Sequence, residues 1–142
     1  MTEGAFNSFT KSMIRQKTRR WKPKYDVKKE ARHPVKLQST TILANGKRSE
    51  KLVYYSLCNG CGEIVPEATA TVDHIKPIVN PKTGMIIIKS GEHKGRVDWN
   101  PVIYGAFCEA DNLQVLCKTC HDAKTKEEKA IDTERRRKER SE

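Results

Sequence analysis

The chain has 142 residues, of which 36% are hydrophobic and 32% charged. This length fits one domain with tails better than two domains, and so little apolar material indicates that something besides burial helps to hold the fold. No apolar run approaches the roughly 20 residues of a membrane span, and the N-terminus lacks the apolar stretch of a signal peptide. We therefore expect a cytoplasmic protein, in which five cysteines favour metal ligation over disulfides.

The basic side chains are unevenly distributed. Residues 1–57 hold 14 Lys and Arg against 4 Asp and Glu, whereas residues 58–142 hold 14 of each, so the net charge of +10 lies in the N-terminal part. Such a basic segment suits contact with a phosphate backbone, although a solvated tail that aids solubility would have the same charge. The candidate nucleic-acid-binding residues are Arg15, Lys17, Arg19, Arg20, Lys22 and Lys24.

The N-terminal segment is predicted to be an arm. Residues 1–36 are weakly periodic, and Pro23 and Pro34 interrupt any long helix, so we expect an extended or partly helical conformation. The segment also contains two aromatic side chains, Trp21 and Tyr25. These would either stack on bases and sugars or pack on the main body of the protein.

Four strands are predicted further along the chain. Asn45-Gly46 is a strong signal for a two-residue turn, and its flanking segments LQSTTIL and SEKLVYYSL predict a β-hairpin. Residues 68–75, ATATVDHI, have the composition of a strand that enters a turn. Residues 112–116, NLQVL, predict another short strand.

The remaining sequence is predicted to be an irregular insertion and a helix. Residues 80–106 contain turn signals and one candidate strand at residues 85–88, and the turns are expected at Asn80-Pro81, Ser90-Gly91 and Asn100-Pro101. From His121 onward the chain has no Gly or Pro and is rich in helix formers, which predicts a helix. Its last residues lack apolar periodicity, so we expect residues 131–142 to be a charged helical tail in solvent.

Four of the five cysteines form two C-x-x-C pairs. Two thiolates at this spacing can occupy two corners of the tetrahedron that Zn²⁺ prefers, and a neighbouring glycine suits the tight turn between them. A structural zinc contributes on the order of 10–16 kcal/mol in small peptides, which would compensate for a weak core. The predicted structural zinc ligands are Cys58, Cys61, Cys117 and Cys120.

Other chemistry for these cysteines has less support. The sequence from Cys117 to His121 is C-x-x-C-H, the attachment motif of c-type haem, but haem attachment requires export and an apolar pocket. A thioredoxin-like redox motif would require a βαβ pattern, which surrounds neither pair. Cys108 is the odd cysteine, expected as an ordinary buried thiol ahead of an alternative metal ligand.

A second group of residues accompanies the cysteines. Asp73 and His74 end one predicted strand, Asn112 opens another, and His121 follows the last cysteine directly. A zinc that joined the two cysteine pairs would draw these residues together. Taken singly, His74 would be a structural histidine, His121 a zinc ligand or helix cap, and Asn112 part of a turn.

The arrangement resembles the HNH nucleases, in particular their zinc-containing, phage-encoded members. VDHIKPI, DNLQVL and CKTCHDAKT match the family's two strands and helix start, in the expected order and at the expected Asn-to-His interval. The resemblance covers roughly residues 58–125. It implies an α+β fold: a small ββα-metal (His-Me finger) module stapled by the four-cysteine zinc site, with a basic N-terminal arm and a charged C-terminal helix.

The resemblance also implies roles for single residues. His74 would be the general base, and Asn112 would orient the loop that carries it. Asp73 and His121 would ligate a catalytic divalent cation, Mg²⁺ or another. Some members carry a further histidine ligand one helical turn later, where this chain has Thr125, which cannot serve as a strong ligand.

The sequence therefore predicts a basic arm and hairpin over residues 1–57, an HNH nuclease domain over 58–130 and a helical tail over 131–142. The expected activity is metal-dependent hydrolysis of DNA phosphodiester bonds, in the host cytoplasm if a phage encodes the protein. The expected partner is DNA, with no membrane. The alternative is a non-catalytic zinc module that binds nucleic acid, for which neither Asp73 nor His74 is needed.

Overall fold

The computed structural model describes residues 1–142 and has an α+β architecture with four helices and two small sheets. The N-terminal arm is mainly helical, with α1 over Glu3–Thr18 and α2 over Lys22–Glu30. The Thr2 hydroxyl caps α1 by accepting from the Ala5 N–H at 3.3 Å. Pro23 lies in the first turn of α2, where its missing N–H costs nothing, so it separates the two helices.

The predicted hairpin is confirmed, but its turn is a three-residue loop, residues 44–46, closed by the Leu43 N–H, which donates to the Lys47 carbonyl at 2.8 Å, and not the expected two-residue turn. Strands β1, Arg32–Ile42, and β2, Arg48–Leu57, pair antiparallel, and Gly46 adopts a φ of 75° at the turn. A short strand β3, Ile64–Pro66, pairs with the other side of β2, giving the order β1-β2-β3. Pro34 therefore lies in an edge strand, the position in a sheet that tolerates proline.

A second, two-stranded sheet carries the residues of interest. Strand β4, Thr71–His74, pairs antiparallel with β5, Leu113–Leu116, so that Asp73 lies opposite Gln114 and His74 opposite Leu113. Both strands lie within the segments predicted for them. Three of the four β5 residues, Leu113, Val115 and Leu116, are buried, and Gln114 is half-buried.

The connection between β4 and β5 differs from the prediction in two places. The strand expected at residues 85–88 is reduced to one isolated bridge between Ile87 and Val97. The turn expected at Asn100-Pro101 is instead the start of helix α3, Asn100–Ala106. Proline suits the first turn of a helix as well as a turn, so the dipeptide alone did not distinguish the two.

The last helix, α4, spans Lys118–Ser141 and begins three residues earlier than predicted. Cys117 caps it, since its Sγ accepts from the Cys120 N–H at 3.4 Å. The C-terminal part of α4 is not entirely in solvent. Arg135 donates to the Pro81 carbonyl at 3.2 Å and lies against Gly84, where a Cβ would come within 2.7 Å of the guanidinium carbon.

The core is small. Only 12 of the 142 residues are buried, and Cys58, Leu116 and Cys117 form its central cluster. This agrees with the expectation that burial alone does not hold the fold. None of the helices is both long and apolar enough to cross a membrane.

Candidate metal centre and basic cleft

The two cysteine pairs meet in one cluster. The Sγ atoms of Cys58, Cys61, Cys117 and Cys120 all lie within 4.8 Å of one another, and could therefore hold a single metal ion such as zinc. Backbone N–H groups point at the sulfurs: the Sγ of Cys58 accepts from Cys117 at 3.2 Å and from Gly60 at 3.4 Å. Such donors stabilise thiolates, the form in which cysteine binds metals.

The pKa values of three of these thiols, Cys58, Cys61 and Cys120, are shifted. Burial of Cys58 opposes its ionisation, but the N–H donors of Cys117, Cys61 and Gly60 outweigh burial and lower its pKa to about 6. Hydrogen bonds that the Cys120 thiol donates to the Cys117 and Cys58 sulfurs, together with burial, raise the pKa of Cys120 to about 12. Cys58 therefore ionises more readily than an ordinary thiol, whereas Cys61 and Cys120 hold their protons more tightly.

The first cysteine pair is also joined directly to β5. Asn59 accepts from the Val115 N–H through its side chain and donates its own N–H to the Val115 carbonyl, both at 2.8 Å. Gly60 allows this close approach, because a Cβ there would lie 2.9 Å from the Sγ of Cys120. The cluster thus fixes the end of β2 against β5 and the start of α4.

Cys108, the fifth cysteine, lies outside the cluster and is partly buried. Its carbonyl accepts from the Trp21 indole N–H at 2.7 Å, and the Trp21 ring contacts Phe107 edge-on with centroids 5.3 Å apart. Of the two roles considered for the arm's aromatics, Trp21 takes the packing role. Tyr25 is 60% exposed.

The structure brings Asp73 and His121 together beside the cluster. The Asp73 Oδ1 and His121 Nε2 atoms are 4.0 Å apart, and both side chains are partly exposed. Two atoms that ligate one Mg²⁺ or Zn²⁺ ion lie at most about 4.2 Å apart, so the pair could share an ion. Oxygen and imidazole nitrogen are also a donor set that suits several divalent cations. The donor atoms of Asp73 and His121 are therefore close enough, and of suitable types, to share one divalent cation.

His74 follows Asp73 and is only 8% exposed. Its Nε2 lies 3.4 Å from the Ala106 carbonyl, which can only accept, so this contact favours the tautomer with hydrogen on Nε2 and a free lone pair on Nδ1. Burial, followed by the positive charge of Lys24, lowers the pKa of His74 below its usual value. The imidazole is therefore neutral and able to accept a proton near neutral pH.

Asn112 ties the chain that follows His74. Its side-chain oxygen accepts from the Lys76 N–H at 2.9 Å, its amide donates to the Lys76 carbonyl at 3.3 Å, and its own carbonyl accepts from the Ile75 N–H at 2.9 Å. Three hydrogen bonds therefore fix the two residues after His74 against the start of β5. This is the kind of contact expected of a residue that orients the histidine loop.

Sequence reasoning missed two further side chains at Asp73. Lys124, on α4, donates to the Asp73 Oδ2 atom at 2.5 Å and also to the His74 carbonyl. Gln114 lies opposite Asp73 in the sheet and donates to the same oxygen at 3.5 Å. A signal for Lys124 was present, since a residue three positions after His121 shares its helix face.

Part of the basic arm lines a cleft at this site. Helix α1 forms one wall and β4 another, and the space of about 690 Å³ is bordered by Asp73, His74, Lys11, Arg15 and Lys24. Lys24 also borders a neighbouring cleft of about 670 Å³, together with Arg19, Arg20, Lys22 and Lys28. Five of the six predicted nucleic-acid-binding residues thus border one or both clefts. Lys17 is exposed on α1 and borders neither.

Comparisons of the chain with protein-family models, with curated proteins and with solved structures give no match. The resemblance to HNH nucleases therefore depends on the motif residues of this chain. Those residues lie on β4, next to the start of β5 and in the first turn of α4.

Proposed function

We propose that the protein is a divalent-metal-dependent DNA endonuclease of the HNH type, with a ββα-metal module formed by β4, β5 and the start of α4. The observation that carries the proposal is that Asp73 and His74 border a basic cleft and that His121 lies next to Asp73. The Asp73 and His121 ligand atoms are 4.0 Å apart. A neutral histidine and a pair of potential metal ligands, facing a surface suited to phosphate, match the needs of phosphodiester hydrolysis.

In this proposal Asp73 and His121 hold the catalytic cation. When bound, a divalent cation there would supply the positive charge that stabilises the phosphate and the departing 3′ oxygen. Nδ1 of His74 takes a proton from water as the water oxygen attacks phosphorus, while Nε2 is held towards the Ala106 carbonyl. The bond from phosphorus to the 3′ oxygen then breaks and that oxygen takes up a proton from solvent, leaving 5′-phosphate and 3′-hydroxyl ends.

The two clefts support DNA as the substrate. They share Lys24, so basic side chains follow one another from the Asp73 region along α2. Contacts of this kind bind the backbone without reading bases, and their affinity falls as salt rises. We therefore expect cleavage with little sequence preference and binding that weakens steeply with ionic strength.

The test is nicking of supercoiled plasmid by zinc-loaded protein in Mg²⁺. We expect His74→Ala to retain zinc and DNA binding while losing at least about 100-fold in cleavage rate, the scale of a general base. His33→Ala, an exposed histidine on β1, is the matched control and should cut normally. Cleavage by His74→Ala at the wild-type rate would refute the mechanism.

The same experiment separates the proposal from a non-catalytic module that binds nucleic acid. The basic clefts alone would support such binding, and it would require neither Asp73 nor His74. Gel retardation of DNA by the wild-type protein, without nicking in Mg²⁺, Mn²⁺ or Ni²⁺, would favour that module over the nuclease.

A further inference from the structure

Lys124 has an unusual position for a surface lysine. It lies in the second turn of α4, its side chain is 24% exposed, and its ammonium donates to Asp73 and to the His74 carbonyl. A third partner is available on the same helix, because the Glu128 carboxylate is 3.3 Å away. The ammonium group is therefore held at the side of Asp73 that faces α4.

The two oxygens of Asp73 have different surroundings. Oδ2 accepts from Lys124 at 2.5 Å and from Gln114 at 3.5 Å. Oδ1 is the atom that lies 4.0 Å from His121 Nε2. One oxygen is thus occupied by a resident cation, and the other faces the second candidate metal ligand.

We propose that Lys124 is the counter-cation of Asp73 and lowers the affinity of this site for a divalent cation in the absence of DNA. The inference rests on the proposed function in taking Asp73 and His121 as metal ligands. A positive charge within hydrogen-bonding distance of a ligand carboxylate repels an incoming dication and reduces the charge that the carboxylate offers. Lys24 borders the same cleft and adds to this effect.

The charges of the site explain why a counter-cation beside Asp73 would suit a nuclease. Asp73 and Glu128 each contribute a negative charge, and Lys124 and Lys24 offset them with two positive charges nearby. A phosphate that enters the cleft brings the negative charge that the protein does not supply. Glu128 keeps Lys124 paired when its contact with Asp73 weakens. Metal binding is then strongest when substrate is present.

The test measures Mn²⁺ binding to the zinc-loaded, full-length protein without DNA, from the electron paramagnetic resonance signal of free Mn²⁺. We expect Lys124→Met to lower the Kd for Mn²⁺ about tenfold relative to wild type, the effect of a change of about 1.4 kcal/mol. Lys126→Met is the matched control, because Lys126 is an exposed lysine on the same helix, and its Kd should not change. Asp73→Ala should abolish the binding.

Two further variants separate the effect of the Lys124 charge from the effect of its hydrogen bonds. Lys124→Gln is neutral but can still donate a hydrogen bond to the His74 carbonyl, so it should also tighten Mn²⁺ binding. Lys124→Arg keeps the charge and should bind Mn²⁺ like the wild type. Zinc content and the circular dichroism spectrum verify that each variant is folded.

The outcomes distinguish this inference from the proposed function. If Asp73→Ala loses Mn²⁺ but neither Lys124→Met nor Lys124→Gln tightens its binding, the role of Lys124 is refuted and the metal site stands. If the wild type and the Lys124 variants show no saturable Mn²⁺ binding that depends on Asp73, both the inference and the proposed metal site are refuted.

Discussion

Removal of metal from the four-cysteine cluster should unfold much of the protein. The cluster joins residues that are far apart in sequence, since Cys58 and Cys117 are separated by 59 positions. Closing a loop of that length is worth about 4 kcal/mol in the chain-entropy model of cross-links. The metal–sulfur bonds add to this value, and the complete free energy of unfolding of a domain is typically only about 5–15 kcal/mol.

The assay is thermal unfolding followed by circular dichroism, with zinc content measured on the same samples. We expect a strong zinc chelator to lower the Tm by at least about 10 °C, from the loop-closure contribution alone. Cys61→Ser should behave like the chelated protein, because it removes one ligand. Cys108→Ser, outside the cluster, is the control and should retain zinc and its Tm. A metal-free protein that melts within two or three degrees of the zinc-loaded one would refute the reasoning.

Two further substitutions test the local geometry. Asn112→Ala removes both side-chain hydrogen bonds to Lys76 and should lower the free energy of unfolding by about 2 kcal/mol. Asn112→Asp keeps the acceptor and should lose less. An unchanged midpoint of unfolding in urea for Asn112→Ala would contradict this. Gly60→Ala places a Cβ 2.9 Å from the Cys120 sulfur and should weaken zinc binding about tenfold in a chelator competition. Gly4→Ala, which has open space around it, should not weaken zinc binding, and equal zinc affinity in Gly60→Ala would show that the cluster adapts.

Sequence patterns predicted the elements that carry strong local signals. The hairpin followed from Asn45-Gly46, where the turn needs a positive φ that glycine adopts freely. The cysteine pairs predicted a cluster because two cysteines at C-x-x-C spacing can bind one metal ion in many different folds. The grouping of Asp73 with His121 could be anticipated only through the cluster and the resemblance to HNH nucleases, since nothing local relates two residues on β4 and α4.

Contacts that depend on tertiary structure were not predictable in the same way. The Asn100-Pro101 signal serves a turn and a helix start equally well, and packing of α3 against α1 decides between them. The arm was expected to be extended in part because its helices lack a clear apolar face, yet Trp21 holds it to the body through Cys108 and Phe107. Lys124 was missed because the helix face that it shares with His121 does not by itself identify its partner, Asp73, which is 51 residues away.

The isolated bridge between Ile87 and Val97 has a consequence for how such a protein can diversify. The Ile88 N–H also donates to the Arg96 carbonyl at 2.9 Å, so the two ends of this excursion are already adjacent. When the ends of a loop are held together, each doubling of the loop length adds only about 0.6 kcal/mol to the entropic cost of closing it. Residues 89–95 are therefore a suitable insertion point, where the chain could carry an added module while β4, β5 and the cysteine cluster stay as they are.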